Sequence, residues 1–342
     1  MHAGLITGRE TVELIDFPDP TPAPDGVVVD IQRCGICGSD VHAWQSGDPY
    51  SPAICGHEWT GTVSAIGKEV RGLVEGDRVV GAVPPACGAC EACVAGRSAW
   101  CTNVMLTAIG RDPLAPAHGG FAPHLAVSAG RVVRVHPGLS VEAAAQVEPA
   151  TVGFHAVRNT PPGLGDLVAV QGAGPIGLVT LQAAVAAGAG RVVVVEPNEA
   201  RCSLARELGA TDTVAPDEAG DLIRELTSGQ GADVVYEAVG RPETIQQAVD
   251  RVRRGGSVSL IGFPIGKATI APGSWLLKEV VVSAALAYTH DDFDRCMGMI
   301  ADGRIRLEPM HTSTVPLSQL GAAIADLASG TSPETKVLVD PR

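Results

Sequence analysis

Between residues 27 and 135 the chain reads as short, mostly β-branched apolar runs, at 27–31, 62–66, 78–83, 122–127 and 131–135, broken by Gly, Pro and Asp. Strands at such spacing predict an antiparallel, barrel-like domain. After Gly163 the period changes: apolar runs at 166–171, 191–195, 233–237 and 257–261 alternate with stretches of helical period at 176–187, 199–208, 217–227 and 242–252. That alternation predicts βαβ units on a parallel sheet, and so an α/β fold class. An amphipathic stretch at 291–301 and two further pieces of helix or strand complete the pattern. Residues 167–190 carry no charge, but Gln171, Pro175, Gln182 and several glycines favour strand, turn and helix over a membrane span.

Composition narrows this picture. With 342 residues the chain exceeds what one core usually serves, so two domains are expected. The 41 glycines imply many tight turns or close backbone approaches. Five Phe, four Trp and three Tyr are too few for a base-stacking platform, and a net charge of −13 repels polyanions. Nucleic acid and anionic membranes are therefore excluded as partners. Residues 1–16 include Arg9, Glu10, Glu13 and Asp16 without an apolar core, so no secretory signal is read and a cytoplasmic location is expected. Nine cysteines should then stay reduced, which shifts the expectation from disulfides to metal ligands or nucleophiles. Cys202 and Cys296 stand alone and read as buried small hydrophobes.

Three constellations carry chemistry. The turn Gly172-Ala173-Gly174-Pro175-Ile176-Gly177 follows a predicted strand and opens a predicted helix, the context in which backbone N–H groups meet a pyrophosphate. Glu196 ends the next strand, where a dinucleotide fold places the carboxylate that binds the adenosine ribose. A carboxylate there would repel a 2′-phosphate, favouring NAD over NADP, although Arg201 could meet a phosphate. Cys87, Cys90, Cys93 and Cys101 offer four thiolates in a compact loop, suited to a closed, structural zinc, with an iron–sulfur cluster as the alternative. Cys37, His57 and Glu58 form a less regular set with nothing to close the shell, as for a zinc that keeps a place for water or substrate. Cys34 and Cys37 could alternatively form a redox dithiol, but the βαβ context of such motifs is missing.

Together these motifs resemble the zinc-dependent medium-chain alcohol dehydrogenases. The resemblance rests on Gly56-His57-Glu58 with Gly61, Gly67 and Val70, on Gly76-Asp77-Arg78-Val79, on the four-cysteine lobe, on the glycine turn and on residues 233–240, in that order along the chain. It implies a Rossmann doubly wound parallel sheet, 149–285, inserted into a mainly β, GroES-like catalytic domain formed by 1–148 and 286–342, with a structural zinc lobe at 87–101. It also implies two zinc ions per subunit, NAD as cofactor, and a homodimer or homotetramer. Gln146-Val147-Glu148-Pro149 is similar to the polyol and butanediol dehydrogenase branch, which makes Glu148 the third ligand beside Cys37 and His57, with Glu58 an alternate or exchanging one. The implied reaction is reversible oxidation of a secondary alcohol, diol or polyol to the ketone by hydride transfer to the nicotinamide. Ser39 would bond the alcohol, His42 would pass its proton to solvent, and Asp40 would orient His57. Trp44, Phe121 and Trp275 are candidates to line the substrate pocket, with Leu276 and Leu286. A zinc-free quinone or enoyl reductase on the same fold, and a non-catalytic zinc-binding descendant, are the rival readings.

Overall fold

The computed structural model describes residues 1–47, 52–111 and 115–342. The chain divides into two compact units. The first comprises Met1–Glu148, Thr289–Ala301 and His311–Arg342; the second comprises Pro149–Tyr288 and Asp302–Met310, so residues 302–310 group apart from the rest of the tail.

In the first unit, β1 (His2–Gly8) and β2 (Thr11–Asp16) form a separate antiparallel hairpin. A larger sheet contains β3 (Gly26–Gly35), β4 (Glu58–Ile66), β5 (Arg78–Gly81), β6 (His124–Ser128), β7 (Val132–Arg134), β14 (His311–Pro316) and β15 (Lys336–Asp340). Its order is β14-β15-β3-β4-β5-β7, with β6 also paired to β3, and every pairing is antiparallel except β14 with β15. The apolar runs at 27–31 and 62–66 mark only parts of β3 and β4, whose pairing extends to Gly35 opposite Glu58. Val27, Val29 and Ile31 of β3 and Val63 of β4 are buried with Val79 and Leu125 in one core, as expected for strands with an apolar face toward the interior.

The second unit contains β8 (Leu167–Gln171), β9 (Arg191–Val195), β10 (Asp212–Val214), β11 (Ala232–Glu237), β12 (Val252–Leu260) and β13 (Val281–Ala284). All pair in parallel, in the order β10-β9-β8-β11-β12-β13. This is the doubly wound order of dinucleotide-binding folds, with β8 at the point where the winding reverses. Every residue of β8 is buried, which explains its uninterrupted apolar sequence. Helices at Pro175–Ala186, Glu199–Glu207, Ala219–Leu226 and Pro242–Arg251 alternate with these strands. The uncharged stretch after residue 167 is thus β8, a turn and one helix. No helix of the described residues is long and apolar enough to cross a membrane.

Candidate functional site

The strand–turn–helix at Gly172 has the geometry its sequence demands. Gly172 turns at φ 93°, in the left-handed region that disfavours a side chain. A Cβ on Gly177 would strike the Gly172 carbonyl oxygen, so helix and strand approach as only glycine permits. Gly174, by contrast, faces open space and caps the helix, with Pro175 in its first turn. Ile176 is half-buried. Glu196 is buried at the end of β9; its Oε2 accepts the Ala173 N–H at 2.8 Å and its Oε1 the Asn198 N–H at 3.0 Å. Each oxygen keeps capacity for a further donor, so the pair of turns fits a ribose and pyrophosphate. Arg201 lies in the first turn of Glu199–Glu207, its N–H donating to the Asn198 cap.

In the first unit the sulfur atoms of Cys87, Cys90, Cys93 and Cys101 lie within 4.8 Å of one another, with Cys90 and Cys101 4.0 Å apart. Tetrahedral zinc with bonds of about 2.3 Å sets sulfur separations of roughly 3.8 Å, so the cage fits the ion. All nine cysteines are free thiols. N–H groups of Cys93 and Thr102 bring the Cys90 thiol down to about 6, whereas desolvation and the bond to Cys90 push Cys93 up to about 12. Four thiolates this close need a cation before all can be charged.

A second group brings Cys37, His57 and Glu58 within the same 4.8 Å. Cys37 follows β3 and caps the helix Gly38–Ser46, while Glu58 opens β4. Asp40 fastens these two segments together. Fully buried, it accepts the Cys37 N–H at 2.9 Å through Oδ2 and the Gly56 N–H at 3.3 Å through Oδ1. The carboxylate was expected to orient His57, but the His57 Nδ1 sits 3.0 Å from the Ile54 carbonyl oxygen, leaving Nε2 for a metal. The amide contacts of Asp40 have a local cause: it is the third residue of its helix, placed to reach back to the N-cap amide.

The electrostatics of this group favour added positive charge. Burial alone would lower the His57 pKa, yet Cys37, Glu148 and Asp40 drive it well above the ordinary value. The buried ammonium of Lys336 is likewise raised against its desolvation, by Glu58, Cys37 and Glu148. A pocket that holds cations charged despite burial fits a divalent metal. Glu148 acts on both groups but lies outside the set of mutually close donors.

Ser39 is exposed in the first turn of Gly38–Ser46. His42, half-buried one turn further, has its pKa lowered by desolvation. Trp44 packs half-buried against the core of the first unit. The other two aromatic candidates for the pocket belong to cores: Phe121 is 1% exposed, and Trp275 packs in the second unit with its Nε1 donating to Gln246. Leu276 and Leu286 are exposed. Sequence reasoning missed Ile54 and Lys336. The only signal for the latter was a lysine opening an apolar strand.

Residues 23–137 match the family described as the alcohol dehydrogenase GroES-like domain, and residues 175–302 the one described as zinc-binding dehydrogenase. The chain is 34% identical over 271 residues to sorbitol dehydrogenase of Bacillus subtilis (strain 168), covering 77% of this chain and 75% of that protein. It is 32% identical to L-threonine 3-dehydrogenase of Streptomyces coelicolor, over 96% of this chain and 95% of the relative. Among solved structures, a protein described as a zinc-binding dehydrogenase from Sinorhizobium meliloti 1021, bound to NADP, superposes with a TM-score of 0.88 at 31% identity, covering 99% of both chains. With its GroES-like and Rossmann units, this oxidoreductase acting on CH–OH groups belongs to the family of zinc-dependent medium-chain alcohol and polyol dehydrogenases.

Proposed function

We propose that this chain oxidises a secondary alcohol, diol or polyol to the ketone, reversibly, with NAD as hydride acceptor and two zinc ions per subunit. The observation that carries this reading is the convergence of half-buried Cys37 and His57 with buried Glu58, apart from a cage of four thiols. A zinc-free reductase would have no use for either cluster. In the Cys37 pocket, zinc would supply the positive charge that acidifies a bound hydroxyl. Cys37 and His57 hold the ion with a carboxylate, Glu148 or Glu58. Asp40 keeps both ligand-bearing segments in register through their backbone amides. Ser39 hydrogen-bonds the substrate's hydroxyl and gives up its own proton as it takes the substrate's, and His42, neutral at pH 7 because burial lowers its pKa, passes a proton to solvent.

Glu196 selects the cofactor: its buried carboxylate, held by two backbone N–H groups, accepts ribose hydroxyls and repels a 2′-phosphate. Arg201, five residues on from Glu196, would favour NADP if it met the phosphate. In Glu196→Ala we expect the preference for NAD, measured as the ratio of kcat/KM values, to fall by roughly tenfold, the worth of a charge-assisted hydrogen bond. A wild-type preference for NADP would overturn the assignment. Val281 on the edge strand β13 and Leu276 and Leu277 on the preceding helix are exposed, which supports a homodimer or homotetramer. The decisive experiment is a screen of small alcohols, diols and polyols read by absorbance of the reduced cofactor. Failure to oxidise any of them would sink the reading.

A further inference from the structure

Arg251 ends the helix Pro242–Arg251 and is 8% exposed, a depth at which a guanidinium is ordinarily paired with a carboxylate. Here both side-chain hydrogen bonds go to neutral oxygens: Nη1 donates to Gln171 Oε1 and Nη2 to the Pro216 carbonyl oxygen, each at 2.7 Å. Burial lowers its pKa, with Asp250 acting against that shift through space, and a guanidinium keeps its charge all the same. A charge taken out of water without an anion in contact is costly, so its place in the fold calls for a reason.

The two acceptors supply one. Gln171 is the last residue of β8, next to the Gly172 turn, and Pro216 lies just past the end of β10. The Val214 carbonyl oxygen accepts the Glu196 N–H at 3.0 Å, so the segment that Arg251 holds begins beside the carboxylate assigned to the ribose. Gln171 carries the chain of bonds onward: its Nε2 donates to the Thr244 carbonyl oxygen at 3.0 Å, and the Thr244 hydroxyl donates to Glu237 Oε1 at 2.8 Å. Glu237, 1% exposed at the end of β11, accepts the N–H groups of Val239 and Gly240 at 2.9 and 3.0 Å. A Cβ on Gly172 would come within 3.1 Å of Val239 Cγ2, so the turn after β11 abuts the glycine turn. One buried network thus joins the loops at the carboxyl ends of β8, β10 and β11, the edge of a parallel sheet on which a dinucleotide lies.

The geometry points to Arg251 as a positioning residue for the adenosine half of the dinucleotide, tying the loop after β10 to the glycine turn and, through Gln171 and Thr244, to the turn at 238–240. This rests on the dinucleotide reading of Gly172 and Glu196 and adds to it the buried group that fixes their surroundings. The pyrophosphate would also bring negative charge toward a guanidinium whose hydrogen bonds reach none, so the same residue favours the bound state electrostatically.

The test is titration calorimetry of the holoenzyme with ADP-ribose, which carries the adenosine half and the pyrophosphate but no nicotinamide. Arg251→Met should bind ADP-ribose roughly 10-fold more weakly, the worth of a hydrogen bond to a charged group. Its KM for NAD should rise by a similar factor, while kcat at saturating NAD changes by less than about twofold. Arg251→Lys keeps the charge but lacks the fork that reaches both oxygens, so it should also bind more weakly than wild type; full rescue by lysine would show that charge alone matters and overturn the tie. Because Arg251→Met could fail to fold, Thr244→Val is measured beside it. It cuts the far end of the network at nearly unchanged volume and should weaken ADP-ribose binding about 3-fold, the worth of a neutral hydrogen bond. Wild-type affinity for ADP-ribose in either variant, even with a lower melting temperature, overturns the inference. A wild-type enzyme that binds neither ADP-ribose nor NAD would instead overturn the dinucleotide reading itself.

Discussion

Cys87, Cys90, Cys93 and Cys101 come from one short loop, whereas Cys37, His57 and Glu58 come from the end of β3, the segment before β4 and the first residue of β4. The lobe buries little: its short helix Glu91–Val94 has no buried residue, and Val94 and Trp100 are exposed. Apolar packing contributes little to ordering such a loop, which leaves the thiols, their backbone donors and, on the proposed reading, a zinc ion to do it. The Cys37 centre is braced by the protein itself, through Asp40, Ile54 and the Lys336 ion pair. On the proposed reading, one region depends on its ion for order, and the other offers a cradle braced by the sheet in which an ion can do chemistry.

The sharpest way to break this comparison is Cys37→Ser. We expect turnover to fall by roughly 10³-fold or more, comparable to losing a principal electrostatic stabiliser. One zinc per chain should be lost by elemental analysis, with the circular dichroism unchanged. Unchanged activity would show that the buried centre is not catalytic. Next is His42→Asn, which should cost about 10²-fold in kcat for oxidation. In the proposed relay neutral His42 takes the proton, and burial puts its pKa below the ordinary 6.5. Oxidation should therefore fall as pH drops through that lowered value, and the variant should lose this acid limb. A limb that survives in the variant belongs to another group. The smallest effect on turnover is expected from Cys93→Ser. Activity per folded molecule should stay near wild type while the melting temperature drops and one zinc is lost. A variant with wild-type melting behaviour would show that the lobe is ordered without its metal.

The chain's period placed the parallel strands well. The runs at 191–195 and 233–237 lie within β9 and β11, because strands buried on both faces are continuous in sequence. Other strands were less legible. The separate hairpin of β1 and β2 shows mostly exposed and half-exposed positions in its second strand, and β10 and β13, at the edges of the parallel sheet, are too short to stand out. Pattern also stopped β3 at Ile31, since the rest of that strand carries Gln32, Arg33 and Cys34 and is extended by its partners.

The amino-acid sequence by itself determined which donors exist and which are neighbours: four thiols within one loop, Cys37 beside Asp40, His57 beside Glu58, and a glycine turn followed one strand later by Glu196. These are short-range relations, and local spacing encodes them. Only the tertiary structure decided that Asp40 accepts the Cys37 and Gly56 amides and that the Ile54 carbonyl meets the His57 Nδ1. It also decided that Phe121 and Trp275 fill cores, and that Lys336, 300 residues along the chain from Ile36, grips Glu58. Each of these depends on the register between strands distant in sequence. Register is set by how whole faces pack, so it has no signature in any single segment.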